Sequence, residues 1–274
     1  MYSICMETTL KQSPNDPKHY QAITLPNGLR VLLVENNETK KSAAALAVNV
    51  GHFNDPVDRQ GMAHFLEHML FLGTDKYPDG SEYQRFINQF GGSNNAWTAT
   101  EHTCFFLDIN HKHFEDALDR FSQFFTAPLL SEEFVTKERE NIDAEFKLKL
   151  KDDIRRLYDV HKETINQTHP FSKFSVGNTE TLADHDGTSI RGEIKAFFDE
   201  YYQASHMTLV LEGPHTLKTL AGYAQQKFGL IADSNKALPP INAPLYLPKH
   251  QQVLIKVKPV KNDKQLIISF AMPS

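Results

Sequence analysis

The sequence predicts an α+β fold, and three observations predict it. Tyr20 to Val34 reads as two short strands around Pro26-Asn27-Gly28. Apolar residues recur at helical spacing at Met62, Phe65, Leu66 and Met69, and again at Phe114, Leu118, Phe121 and Phe125. Strand-like runs rich in β-branched and aromatic residues then lie both before and after these helices.

The elements follow in order. Pro26-Asn27-Gly28 combines a fixed and a permissive backbone, which suits a tight turn, so the first two strands form a hairpin. Ala43 to Val50 is a third strand, closed by turn chemistry from Gly51 to Pro56. The spacing predicts a helix over Asp58 to Leu70 with its apolar stripe inward. Ser81 to Phe90 is a short helix stopped by Gly91-Gly92, His102 to Ile109 a strand, and Phe114 to Phe125 a helix. One long helix is expected from about Ser131 to Ile165, with Ser131 as its cap and Glu132 and Glu133 at the positive end of its dipole. After a loop to Gly187 come a helix near Glu193 to Gln203, a strand at Met207 to Glu212 and a helix at Thr216 to Phe228.

Residues 20–232 thus form one domain. Four prolines in Asp233 to Lys249 mark 233–250 as a linker. Gln252 to Val260 and Gln265 to Met272 are strand-like, so 251–274 reads as the truncated start of a second, related domain.

Composition narrows the function. The 274 residues are 40 % hydrophobic and 23 % charged, with no apolar run near the roughly 20 residues that cross a bilayer. A formal charge of −5 disfavours nucleic acid and anionic membranes as partners. Cys5 and Cys104 are too few for a disulfide framework or a thiolate cage, so any metal must use histidine and carboxylate. Cys104 reads as a small buried hydrophobe, His111 and His113 as solvent-facing, and Lys147, Lys149 and Lys151 as a solvated helix face. The first twenty residues lack the apolar core and cleavage site of a secretory signal, which favours a cytoplasmic setting, or a periplasmic one if a leader has been removed.

The central motif is His64-Phe65-Leu66-Glu67-His68. Histidines four apart on a helix point the same way, and Glu67, three after His64, flanks them on the same side. This inverts the commoner H-E-x-x-H zinc motif. Two neutral imidazoles and one carboxylate form the zinc set that leaves a fourth position for water, whose pKa then falls towards roughly 7. A neighbouring carboxylate, Glu67, can take that water's proton as it attacks a peptide carbonyl. The third ligand must come from another element. Glu138 and Glu145 are two turns apart on one face of the long helix while Glu140 points elsewhere, and spacing does not choose between them.

From Tyr20 to Ile231 the chain resembles the pitrilysin and insulysin family of inverted-zincin zinc metallopeptidases. The resemblance is carried by HFLEHMLFLGT at 64–74, LPNGLRVLLV at 25–34, GGSNNAWTATEHTCFFLDI at 91–109, ALDRFSQFF at 117–125 and HPFSKFSVGN at 169–178. It implies a two-layer α/β domain with a mostly antiparallel sheet packed against helices. It also implies one Zn2+, ligated by His64, His68 and Glu145, with Glu67 as general base and Glu138 as the acid that steadies a ligand from behind. Its substrates are short or unfolded peptides added as a strand beside Ser93 to Thr98, with Asn95 and Ala96 pairing through their backbone and Phe71 and Trp97 lining side-chain pockets. The family's members are longer, multidomain chains, so the C-terminal domains are expected partners and the isolated chain is expected to be inactive. A metal-free scaffold of the same fold, or a presequence-processing peptidase, are the alternatives.

Overall fold

The computed structural model describes residues 11–185, 187–261 and 264–270. Cys5, the N-terminal decapeptide and the end of the last strand-like run lie outside them. β1 (His19–Thr24) and β2 (Arg30–Glu35) pair as an antiparallel hairpin. Its turn is made at Gly28, whose φ of +87° is open to glycine at little cost. β3 (Lys41–Val48), β4 (Ser93–Thr98), β5 (Thr103–Asn110) and β6 (Met207–Gly213) complete a six-stranded sheet in the order β1-β2-β6-β3-β5-β4. Only β2 with β6 is parallel; the other ladders are antiparallel. β6, the last strand among the described residues, is therefore inserted between β2 and β3.

Period-two alternation sorts the two faces of the sheet. One registered row is Leu33, Leu211, Ala44 and Leu107, and another is Val31, Leu209, Leu46 and Phe105, all buried. These rows face α1 (Met62–Leu70), α3 (Phe114–Thr126) and α6 (Ile190–Tyr201), whose own buried stripes close the core. α2 (Glu82–Gln89) packs beside α3, and α7 (Leu217–Tyr223) continues into a π-helical turn at Ala224–Phe228. The α+β expectation, with helices layered on a mostly antiparallel sheet, matches this architecture.

Four expectations are corrected. α1 begins at Met62 rather than Asp58, because Gly61 enters it with φ +96°. The long helix is two: α4 (Glu132–Lys149) and α5 (Asp153–Glu163), separated where Asp152 turns extended and its carboxylate caps Arg155 N at 2.9 Å. Ser131 makes no side-chain cap at the start of α4. His113 does not face water alone but stacks on Phe90 at 3.7 Å between ring centroids.

The proline-rich stretch is bonded to the body. Asn166 holds the carbonyls of Pro244 and Leu245, His161 meets the Tyr246 hydroxyl at 2.6 Å, and His206 meets the Lys236 carbonyl at 2.7 Å. Beyond it, the described residues from 252 to 270 join no ladder. Strand propensity there meets no partner strand, and the segment is tied instead to α5, where the Asp153 carboxylate accepts from Val260 N and Lys261 N, each at 2.9 Å.

Candidate metal centre

α1 presents the motif residues. Met62, Phe65, Leu66, Met69 and Leu70 fill the core, which turns His64 and His68 toward α4. The helix start is fixed from outside its own sequence: the Asp55 carboxylate accepts from Gly61 N at 2.7 Å and Ala63 N at 2.8 Å. It satisfies amides that a helix N-terminus leaves unpaired.

Each imidazole is oriented through Nδ1. His64 Nδ1 donates to the Val176 carbonyl at 2.7 Å, and His68 Nδ1 donates to Glu138 Oε1 at 2.8 Å. When both rings are neutral this leaves each Nε2 as a lone pair, and the two stand 3.2 Å apart. Glu145 Oε2 lies 3.7 Å from one and 3.8 Å from the other. In that state three acceptors face one another and repel unless a cation or a shared proton sits among them. Ligands about 2.0–2.1 Å from a tetrahedral ion stand roughly 3.3 Å apart, which is the scale of these edges. Among the described residues, His64, His68 and Glu145 are the group whose donor atoms converge in this way. The residues fit a divalent metal that prefers nitrogen and oxygen.

Glu138 and Glu145 straddle the His68 ring, one on the Nδ1 side and one on the Nε2 side. The seven-residue spacing on α4 provides this, since two helical turns advance roughly 10 Å. Glu145 also pairs with Lys149. Glu67 lies outside the converging trio, buried, with Oε2 accepting from the Thr98 hydroxyl at 2.6 Å. Thr98 ends β4, so the edge strand and the motif helix meet at Glu67.

The electrostatics follow burial. Burial, then the charge of His68, holds His64 down at about 4. His68 is desolvated too, but its bond to Glu138 and the surrounding carboxylates outweigh this and raise it. Burial raises Glu67 against the opposing hydrogen bond from Thr98. Glu138 and Glu145 are partly buried, yet His68 and Lys149 respectively hold them below the usual carboxylate range.

The other expected site residues are placed as follows. β4 is an edge strand, with Asn95 exposed and its side-chain oxygen accepting from Ala96 N at 2.9 Å. Ala96 packs partly against the core, and Trp97 is 48 % exposed, leaning on Phe106 and His102. Phe71 is packed among Tyr83, Phe105 and Phe124. Cys104 is buried, which pushes its thiol up. Sequence reasoning missed Asp55, Thr98 and the Val176 carbonyl. Asp55 had a readable signal in a short acidic residue just ahead of the helix; a backbone carbonyl has none.

A pH prediction arises here. His52, buried beside the end of β4, donates Nδ1 to the Ala99 carbonyl at 3.3 Å and is held down at about 3, chiefly by burial. A histidine whose folded pKa is depressed adds stability above its unfolded value of about 6.5 and loses it as pH falls. His64 has the same sign; His68, and the carboxyls of Asp55, pushed up to about 7 by burial, and of Glu67, raised by burial, have the opposite. Relative to the metal-free wild type, His52→Gln is expected to lose less melting temperature between about pH 6.5 and 5; an unchanged slope in the variant refutes the assignment.

Comparisons agree with the geometry. Residues 30–173 match the family described as Insulinase (Peptidase family M16), and residues 189–274 match the Peptidase M16 inactive domain. The chain is 41 % identical to the A-factor-processing enzyme of Saccharomyces cerevisiae over 94 % of its own length and 25 % of that protein's. It is 38 % identical to the insulin-degrading enzyme of Homo sapiens, over 94 % of this chain and 26 % of that one. The crystal structure of pitrilysin superposes with a TM-score of 0.87 at 37 % identity, covering 89 % of this chain and 26 % of the other. The chain thus spans about a quarter of the length of these relatives. With the family match covering more than half of the chain, and two of the three converging residues lying in the inverted motif on α1, the chain belongs to the insulinase family of peptidases, M16.

Proposed function

We propose that the chain is the metal-bearing domain of a zinc metalloendopeptidase. The observation that carries this reading is the pair of bare Nε2 lone pairs facing the Glu145 carboxylate, with the buried Glu67 carboxyl on the same helix. His64, His68 and Glu145 would hold the zinc. The zinc would supply Lewis acidity, making a water nucleophilic near neutral pH. Glu67 takes the proton as that water attacks, and its raised pKa suits it both to accept the proton and to pass it to the leaving amine. Glu138 and the Val176 carbonyl hold each imidazole through Nδ1, the arrangement that would leave Nε2 for the ion.

β4 would bind the peptide as an added strand. Its outer edge is open, so recognition runs through the backbone of Asn95 and Ala96 and favours extended, unfolded peptides. Trp97 is exposed enough to meet a substrate side chain, while Phe71 would act from beneath, as part of the ring cluster under the site. Because the relatives it matches are about four times as long, we propose that this domain works with further domains of a longer protease, the 233–250 stretch leading to the next of them, and is inactive alone.

The metal assignment is tested by chelator competition. Glu145→Gln is expected to weaken zinc binding far more than Glu138→Gln, since loss of a group behind a ligand typically costs about 10- to 100-fold. The reverse order would make Glu138 the ligand.

A further inference from the structure

The motif helix, the edge strand and the segment behind His64 are far apart in sequence, yet one ammonium joins them. Lys173 Nζ donates to the carbonyls of Phe53 and Asp55, each at 2.6 Å. The turn that carries those carbonyls has two other attachments. His52 N and Phe53 N bond the carbonyls of Ala99 and Thr100, just past β4, at 3.1 and 2.9 Å. The Asp55 carboxylate caps α1. On its own side, Lys173 opens the run that reaches Val176, whose carbonyl receives His64 Nδ1, and Gly177, whose backbone rests on Gly61.

A second lysine lies behind the first. Lys162, 4 % exposed, donates to the Lys173 carbonyl at 2.7 Å and to Ser175 Oγ at 3.1 Å. Among the described residues, no carboxylate is within ion-pair range of either ammonium. Desolvation of a charge is costly, and although Asp159 and Asp55 offset part of it at Lys162, and Asp55 at Lys173, burial holds Lys162 down at about 8 and lowers Lys173. An apolar side chain would occupy these places at less cost, so the ammonium groups are there for where their donors point.

We propose that Lys173 is a positioning residue: by tying the 173–177 segment to the 52–55 turn, it fixes the His64 tautomer through Val176 and sets α1 in register with edge strand β4. The inference rests on the reading of His64 as a metal ligand. No proton moves through Lys173 and no substrate touches it. Its effect is to hold the Val176 carbonyl where only an Nδ1–H form of His64 can use it, so that Nε2 is always the free lone pair.

Histidine-labelled 15N NMR of the metal-free chain at pH 8 reads that tautomer directly, and zinc affinity is measured beside it. The wild type is expected to show His64 as the Nδ1–H form. Lys173→Met is expected to mix in the Nε2–H form and weaken zinc binding by about 10- to 100-fold. Lys173→Arg, which still reaches two carbonyls, restores both. Lys162→Met, which releases the Lys173 carbonyl, gives a smaller change of the same sign and serves if Lys173→Met does not fold. Lys227→Met removes a lysine bound to Asp119 in a separate cluster and leaves both readouts alone. A pure Nδ1–H signal with wild-type affinity in Lys173→Met, or equal changes in Lys227→Met, overturns the proposal. A wild type that binds no zinc sinks the metalloprotease reading instead, while the tautomer still decides the role of Lys173.

Discussion

Glu67→Gln is expected to leave zinc bound and to cut peptide turnover by about 10²- to 10⁴-fold, the usual worth of a positioned general base. The amide has the same shape as the carboxyl and can still accept from the Thr98 hydroxyl, which donates at 2.6 Å. It cannot take a proton. Glu67 stands apart from the three converging donors, so metal content should not follow it. His68→Ala, by contrast, removes a lone pair from the trio and should empty the site. Turnover is measured with a fluorogenic peptide in the longer protease, since little is expected from the 274-residue chain by itself. Loss of zinc from Glu67→Gln on the scale of His68→Ala would show that Glu67 is a ligand and not the base.

Gly61→Ala is expected to destabilise the chain by about 2–5 kcal/mol, from the strain of a left-handed residue and from overpacking. Gly61 has φ +96°, and a Cβ there would lie 2.3 Å from Gly177 Cα. Neither backbone has a side chain to move aside. One of them must shift, and the Val176 carbonyl that orients His64 shifts with it. A domain of this size loses roughly 2–4 °C per kcal/mol, so a fall on the order of 10 °C in melting temperature is expected, together with weaker zinc binding. Gly91→Ala separates the two causes: φ there is +68° and nothing lies within 4 Å of an added Cβ. Its cost is strain alone, about 1–2 kcal/mol. If Gly61→Ala melts no lower than Gly91→Ala, the glycine contact carries no weight.

What the sequence made legible was whatever is periodic or local. The stripe of α1, the hairpin at Gly28 and the strands β3, β5 and β6 all follow from spacing and turn chemistry, as does the common direction of His64 and His68. The break between α4 and α5 was not legible, because Lys149 to Asp153 contains neither glycine nor proline and the interruption is made by the cap at Asp152. The start of α1 was read too early, because it depends on Asp55 and on a contact with Gly177, more than a hundred residues away. The choice between Glu138 and Glu145 could not be made from spacing, since both share a face; in the fold they separate by which nitrogen of His68 each one meets. The tautomer of His64 rests on a main-chain oxygen, for which no residue type is a marker. The strand-like C-terminal runs show the opposite failure: propensity was present but a pairing partner was not.

The place of β6 has a consequence in time. β2 and β3 are neighbours in sequence, yet each must wait for β6 to arrive between them, and about 160 residues separate the end of β3 from the start of β6. At synthesis rates of roughly 5–20 residues per second the wait is on the order of ten to thirty seconds. Over that interval β2 has only β1 beside it and β3 only β5, each with its other edge unpaired, and long-range pairing of this kind folds slowly. His64, Glu67, His68 and Glu145 have all been made by then, but the sheet that aligns α1 is still open at its centre. The chain therefore carries its candidate ligands early and acquires the sheet behind them late.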